Sequence, residues 1–240
     1  MMRGNAALIS LLLALGGCGD GASAKAPEGD GGSATPSRML ALDGVFNARD
    51  MGGYPTADGR TVKWRTLMHS GDLSKMSAAG CEAYAALGIA TVVDLREPGE
   101  VAAAPDVACA QQGYHQVALA KLLPPNVDNY LLLLSRSGPA IAQVFDLLSR
   151  PGALPALHHC VIGRDRSAVV AALILLALGV DGPHVVDEFL LGNRAGTDVE
   201  AAWIQAVIDE VARQGGIETY LERLGVDGAK LRALREAALT

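Results

Sequence analysis

The stretch from Pro155 to Leu178 restricts what this chain can fold into more than any other. Pro155-Ala156-Leu157-His158 is a short apolar run that reads as the end of a buried strand. Ala168 to Leu178 is almost wholly apolar and long enough for about three helical turns. Apolar on all sides yet too short to span a bilayer, this second run predicts a central buried helix. Between the two lies His159-Cys160-Val161-Ile162-Gly163-Arg164-Asp165-Arg166-Ser167. A strand that hands over directly to a buried helix is an α/β element. The joining turn aims backbone N–H groups and the positive end of the helix dipole at one point. A cysteine held there is favoured as thiolate, and Arg166 offers a planar fork matched to two phosphate oxygens. One short loop can thus carry both a nucleophile and a cradle for a dianion.

The pattern His-Cys-x5-Arg-Ser resembles the signature loop of the cysteine-dependent phosphatases of the protein-tyrosine-phosphatase superfamily. With Gly163, basic Arg164 and Asp165 it is most similar to the bacterial tyrosine/serine phosphatase branch. That branch usually has Lys, Thr and Gly where this chain has Arg164, Ser167 and Ala168. Three other segments resemble it. Asn47-Ala48-Arg49-Asp50-Met51-Gly52-Gly53 has Ala48 for the usual Phe, Ser70-Gly71-Asp72-Leu73 follows His69 where the branch has Arg, and Asp94-Leu95-Arg96 is unaltered. The resemblance covers about 42 to 235. It implies an α/β fold with a tyrosine-phosphatase-like central sheet flanked by helices. The signature loop would lie between a strand and a buried helix, and the C-terminal part would be helical.

The resemblance also implies roles. Cys160 is the expected nucleophile, and Arg166 with the N–H groups of Val161, Ile162, Gly163, Arg164 and the next two residues would hold the phosphoryl oxygens. Ser167 would assist the thiolate, and His159 would brace the loop. The implied reaction is two-step phosphoryl transfer with no metal or other cofactor. For the general acid Asp165 comes first, because the branch carries it inside the loop, with Asp94 and Asp128 as alternatives. Asp94 either handles a proton or Arg166, or pairs with Arg96; both readings stay open. Asn47 and Arg49 either brace their own turn, where Gly52-Gly53 suggests positive φ, or touch substrate. His69 is expected to weaken an anionic contact and make it pH-dependent. Arg164, at the outer edge, is expected to attract phosphotyrosine peptides or a second phosphate, as on an inositol lipid.

Elsewhere the patterning predicts a hairpin turn at Asp58-Gly59-Arg60 leading into a strand over 61–67. Ser77 should cap a helix running to about Leu87, with Ala78, Cys81, Tyr84, Ala85 and Leu87 inward. Strands are expected over 89–93 and 113–118, a lip over the site at 121–130, and one helix over 131–148. Asp187 and Glu188 are expected to face solvent, Asn193 to reach the signature loop, and two or three more amphipathic helices to finish the chain.

The N-terminus reads differently. Arg3 precedes an apolar run from Ala6 to Gly16, and Leu15-Gly16-Gly17-Cys18 resembles a bacterial lipobox. Residues 1–17 are therefore expected to be a lipoprotein signal peptide and Cys18 to carry lipid. Residues 18–38, rich in Gly, Ser, Ala and Pro, would form a flexible tether, and 39–240 the folded domain. This predicts a cell-envelope protein, lipid-anchored to the membrane and facing the periplasm or exterior. Of four cysteines, Cys81 and Cys109 are left over, and an oxidising compartment permits them to pair. A net charge of −6 gives no support for nucleic-acid binding. The expected function is a phosphatase acting on phosphotyrosine, with a phosphorylated protein, phospholipid or small phosphoester as substrate. The alternatives are a non-catalytic phospho-ligand-binding lipoprotein, and a sulfur-transfer or arsenate-reductase-like cysteine enzyme.

Overall fold

The computed structural model describes residues 36–111, 113–121 and 123–240. The leader at 1–17, Cys18 and the tether up to 35 lie outside the described residues. Arg38, assigned to the tether on composition, belongs instead to the folded unit. Its guanidinium lies 3.6 Å from the centre of the Tyr54 ring and 4.9 Å from that of Trp64, and its carbonyl accepts the Asp50 N–H.

Among the described residues, five short strands make one sheet: β1 (Arg49–Asp50), β2 (Leu67–Ser70), β3 (Thr91–Asp94), β4 (Tyr114–Gln116) and β5 (Ala156–His159). Their order is β1-β2-β5-β3-β4, with β1 antiparallel to β2 and the other pairings parallel. The strand that leads to Cys160 is therefore central, flanked in register by Ser70 and Asp94 opposite His159. Parallel strands demand cover on both faces, and β2, β3 and β5 are buried throughout. Alternate residues serve opposite faces. Leu67, Val93 and Ala156 join the larger core, while Met68, Val92 and Leu157 join a smaller one with Leu73 and Tyr84.

The larger core is built on α5 (Arg166–Leu178), which is buried at every position but Leu176, as its all-round apolarity predicts. Around it lie α3 (Val127–Arg136), α4 (Gly138–Leu148), α6 (Gly182–Leu190), α7 (Ala201–Arg213), α8 (Gly216–Arg223) and α9 (Gly228–Ala238). On the sheet's other side α1 (Ala78–Ala85) begins at Ser77, whose hydroxyl accepts the Gly80 N–H. Between β3 and β4 stands the short α2 (Pro98–Ala103). Among the described residues no single helix is long and apolar enough to cross a membrane.

Several elements differ from expectation. The strand placed at 61–67 lies at Leu67–Ser70; Thr61 and Val62 form only isolated bridges, to Pro55 and Leu239. The single helix over 131–148 is two, α3 and α4, bent by 69° at Ser137. Pro139 explains the break, since a proline is tolerated in a helix's first turn and not in its interior. Helix α1 buries Gly80 and Tyr84 and leaves Ala78 and Ala85 exposed. The hairpin turn is present, with the Thr56 N–H donating to the Arg60 carbonyl, and Gly53 takes the positive φ expected of that pair. Cys81 and Cys109 form a disulfide.

Candidate active site

At the C-terminal edge of the sheet, where α/β folds open their ligand crevice, residues 160–165 turn from β5 into α5. The loop's carbonyls face outward and are occupied. That of Cys160 lies 3.3 Å from His159 Nδ1, that of Val161 accepts the Asp72 N–H, and that of Gly163 accepts Asn47 Nδ2 at 2.7 Å. The Arg164 carbonyl meets the Tyr130 hydroxyl, and the Asp165 carbonyl takes the Val169 N–H. The amides do the reverse: among the described residues, those of Val161, Ile162, Gly163, Arg164 and Asp165 have no protein acceptor. A row of such N–H groups beside a cysteine and ahead of a helix N-terminus is an arrangement that can hold an anion. Gly163 permits the turn. Its φ is +70°, and a Cβ there would lie 2.7 Å from the Ser70 carbonyl carbon.

Cys160 is buried, with Ser167 Oγ 3.4 Å from its Sγ. Arg166, also buried, is gripped by Glu100: Nη1 donates to Oε2 at 2.5 Å and Nη2 to Oε1 at 3.0 Å. Burial disfavours the Arg166 charge, but this pair and the nearby Cys160 more than restore it. Glu100 takes the end-on edge of the guanidinium. The side-on edge, Nε–H with the second Nη2 proton, is left for two oxygens of a ligand.

The loop floors a cavity of about 250 Å³ shared by Cys160, Arg166, Arg164 and Asp165. Its walls are Tyr130, Leu133, Leu123 and Ile162, with Lys121 and Asn129 beside them. Asp165 is held from two directions, by the Tyr130 hydroxyl on Oδ1 at 2.9 Å and by Arg164 at 3.0 and 3.2 Å. The Tyr130 hydroxyl is pushed up, first by burial and then by Asp165, so it stays a donor. Its ring is fixed against Phe189 and Trp203.

The other predicted acids lie elsewhere. Asp94 is fully buried and spent on Arg96, with bonds at 2.9 and 2.7 Å, and on the Tyr114 hydroxyl. Burial works to raise its pKa, but Arg96 and the neighbouring groups outweigh it and hold the carboxyl below its usual range. Asp94 does not line the cavity, and it holds Arg96 rather than Arg166. Asp128 lies on α3 in a separate groove with Leu131, Leu132 and Glu210. His159 places Nε2 3.1 Å from Asp106 Oδ2, close but misaligned for a hydrogen bond.

His69 does not reach the cavity. It is wholly buried, stacked on His158 with ring centres 5.5 Å apart, and its Nε2 lies 2.8 Å from Glu188 Oε1. The same Nε2 lies 3.2 Å from Arg49 Nε, and Nδ1 has no hydrogen-bond partner among the described residues. Burial lowers the His69 pKa, so the imidazole is neutral and the expected pH-dependent anion contact is replaced by a structural one. Glu188, expected in solvent, is buried beneath Arg49, which donates to it at 2.9 Å and to Asn47 Oδ1 at 2.6 Å. Asn47 and Arg49 therefore brace the signature loop itself. Asn193 bonds Val199 rather than that loop.

Glu100, Asp106, Tyr130 and Glu188 were not among the predicted site residues. Glu188 had a legible signal, since Val185 and Phe189 bracket it at helical spacing on the buried face. Glu100 had half of one, an acid just past a strand end; Asp106 and Tyr130 had none beyond residue type.

Comparison with known proteins agrees with this geometry. The model of the tyrosine phosphatase family matches residues 40–240. A Cupriavidus necator protein whose name provisionally assigns it to the tyrosine-protein phosphatases is 30% identical over 80% of this chain and 86% of its own. A tyrosine-protein phosphatase of Nostoc commune is 27% identical over 75% of this chain and 68% of its own. The triple specificity protein phosphatase PtpB of Mycobacterium tuberculosis is 28% identical over 63% and 68%. Among solved structures, the core catalytic domain of the PP-IP phosphatase SIW14 from S. cerevisiae, in complex with citrate, aligns at 14% identity with a TM-score of 0.41. That alignment covers 68% of this chain and 89% of that one, and is too distant to carry an argument.

Proposed function

Since the chain belongs to the tyrosine phosphatase family and is a tyrosine-phosphatase-like phosphoric monoester hydrolase, we propose that it hydrolyses phosphotyrosine through a phosphocysteine intermediate on Cys160. The observation that carries this reading is the signature loop's polarity, carbonyls engaged outward and amides unspent beside the thiol. In the first step Sγ of the Cys160 thiolate bonds to phosphorus and the ester P–O bond breaks. The leaving oxygen takes a proton from Asp165. In the second, a water oxygen bonds to phosphorus, the S–P bond breaks to regenerate the thiolate, and the water's proton returns to Asp165. The loop amides and the side-on edge of Arg166 hold the three spectator oxygens throughout. Ser167, within hydrogen-bond reach of Sγ, stabilises the thiolate as it leaves.

Aryl phosphates are the favoured class because Tyr130, Leu133, Leu123 and Ile162 give the cavity apolar walls, which suit a phenyl ring. Arg164 and Lys121 at its edge extend the reading to substrates with a second anionic group, such as a phosphoinositide. The same reading places the protein in the cell envelope, anchored through lipid on Cys18. The Cys81–Cys109 disulfide supports an oxidising compartment.

The test is hydrolysis of p-nitrophenyl phosphate and of a phosphotyrosine peptide in the presence of chelator, with wild type beside Cys160→Ser and Asp165→Asn. Turnover should vanish in the cysteine variant, while Asp165→Asn should harm the peptide reaction more than the activated ester. Acid quenching during turnover should trap phosphate on Cys160. Folded wild type that binds phosphotyrosine without turning it over would favour a binding lipoprotein.

A further inference from the structure

Between Asp94 and Tyr114 the chain makes an excursion that meets the signature loop at two side chains. Glu100 on α2 holds the guanidinium of Arg166 with two bonds. Asp106 lies 3.1 Å from the imidazole of His159, and its Oδ1 accepts from Arg96 at 2.9 Å and from the Leu73 N–H at 3.0 Å. Both contacts need a well-placed backbone, yet for Glu100 the packing of α2 does not supply one. Helix α2 has six residues and none of them is buried, and so short a helix is marginal unless something else holds it. Arg96 ties the segment at the Ala104 carbonyl. Asp106, Val107 and Ala110 dock it on Leu73 and the smaller core, and a covalent anchor adds to these: Cys109, three residues past Asp106, is joined to Cys81 on α1, which packs in the same core with Tyr84 and Leu87.

We propose that the Cys81–Cys109 disulfide is a positioning element of the active site, holding the excursion so that Glu100 meets Arg166 and Asp106 meets His159, and that turnover depends on this bond being closed. The proposal rests on the catalytic reading of Cys160 and Arg166. It separates two cysteine chemistries in one molecule. The nucleophile must stay a thiolate while Cys81 and Cys109 must have given up two electrons and two protons to an oxidant, as a disulfide-forming compartment provides. Cys109 is exposed and within reach of a reductant, whereas Cys160 is buried.

The experiment compares full-length wild type with Cys81→Ser/Cys109→Ser, under argon and without reductant, after alkylation and peptide mass analysis show Cys160 as free thiol in both. With p-nitrophenyl phosphate the double variant should lose roughly tenfold in kcat, and inorganic phosphate should inhibit it more weakly. A staple that only adds stability would give the same loss of melting temperature, so the deciding readout is coupling to Glu100. Glu100→Gln should cost turnover in the disulfide-bonded background and little in the double variant, where the carboxylate is already misplaced. If the double variant does not fold, wild type titrated with dithiothreitol takes its place. Dithiothreitol reduces the bond to two thiols and closes into its own cyclic disulfide. Activity should fall in step with the alkylatable fraction of Cys81 and Cys109, the opposite of what a reductant does for a nucleophilic cysteine alone. Equal kcat and equal phosphate inhibition with the bond open and closed would overturn the proposal, as would an identical cost of Glu100→Gln in both backgrounds. An inactive wild type would instead overturn the catalytic reading.

Discussion

The signature loop is held from two sides, by groups that grip different parts of it. On the β1–β2 side Asn47, Arg49, His69, Glu188 and His158 form a buried chain that reaches its backbone: Asn47 holds the Gly163 carbonyl and His158 lies 3.0 Å from that of Ser167. On the β3–β4 side Glu100 and Asp106 reach its side chains, Arg166 and His159. The first brace is wholly interior; in the second, Asp106 and His159 are just as buried, while Glu100 is partly exposed and meets Arg166 at the cavity. A brace on backbone fixes the shape of the cradle and is part of the folded core. A brace on side chains fixes the reacting groups and is tuned separately from stability.

The largest effect should come from breaking the backbone brace. Glu188→Ala leaves Arg49 buried without its carboxylate, a loss of about 3–5 kcal/mol for a broken buried pair, read as a fall in urea or thermal midpoint. If that variant kept its stability and lost only kcat, the division between the two braces would collapse. Acid should attack the same side. Burial, with His69 beside it, holds the His158 pKa at about 3 against an ordinary 6.5. Burial tends to raise the Glu188 pKa, but Arg49 and His69 pull it down to about 2 from an ordinary 4.5. In both cases the unfolded chain binds the proton first, so stability is full above pH 6.5. It should drain through His158 as the pH falls towards 3, and through Glu188 from 4.5 towards 2. Melting temperature against pH checks this, and His158→Gln should flatten the upper limb.

The side-chain brace should respond in rate. Glu100→Gln removes one charge-assisted bond of about 1.5–3 kcal/mol, which is a roughly 10- to 100-fold loss in kcat/KM with little change in melting temperature. A smaller loss, roughly two- to tenfold, is expected for Tyr130→Phe, which frees Asp165 from its hydroxyl donor; alkyl phosphates should show it more than p-nitrophenyl phosphate. Smallest of all is Asp128→Asn, whose carboxyl lies in another groove and whose kinetics should match wild type.

Much of the central architecture was legible in the sequence, because a strand, a six-residue loop and an all-apolar helix carry their own local signals. In the structure Cys160, Asp165 and Arg166, all from this stretch, line one cavity. Long-range partners were harder. Nothing local shows that Glu100, in the first turn of α2, meets Arg166 while Asp94, at the end of β3, does not. The choice is made by an excursion whose path depends on Arg96, Asp106 and a disulfide. His69 misled for a related reason. The polar turn after it outweighed the apolar Leu67 and Met68 before it, and the strand register that stacks it on His158 shows that it faces inward. The split of α3 from α4 was locally visible at Gly138-Pro139 and was outweighed by the apolar spacing on either side.

On the proposed reading, the engaged carbonyls of residues 160–165 and the unengaged amides of 161–165 have a consequence for the end of the cycle. A cradle of this kind reads oxygens and nothing of the alcohol attached to them, so it fits the freed inorganic phosphate as well as the ester. Product inhibition is then built into the loop, and discrimination falls to Tyr130, Leu133 and Leu123, the walls that only an intact ester can touch. In surroundings rich in phosphate, such an enzyme works at a fraction of its capacity that the ambient anion sets.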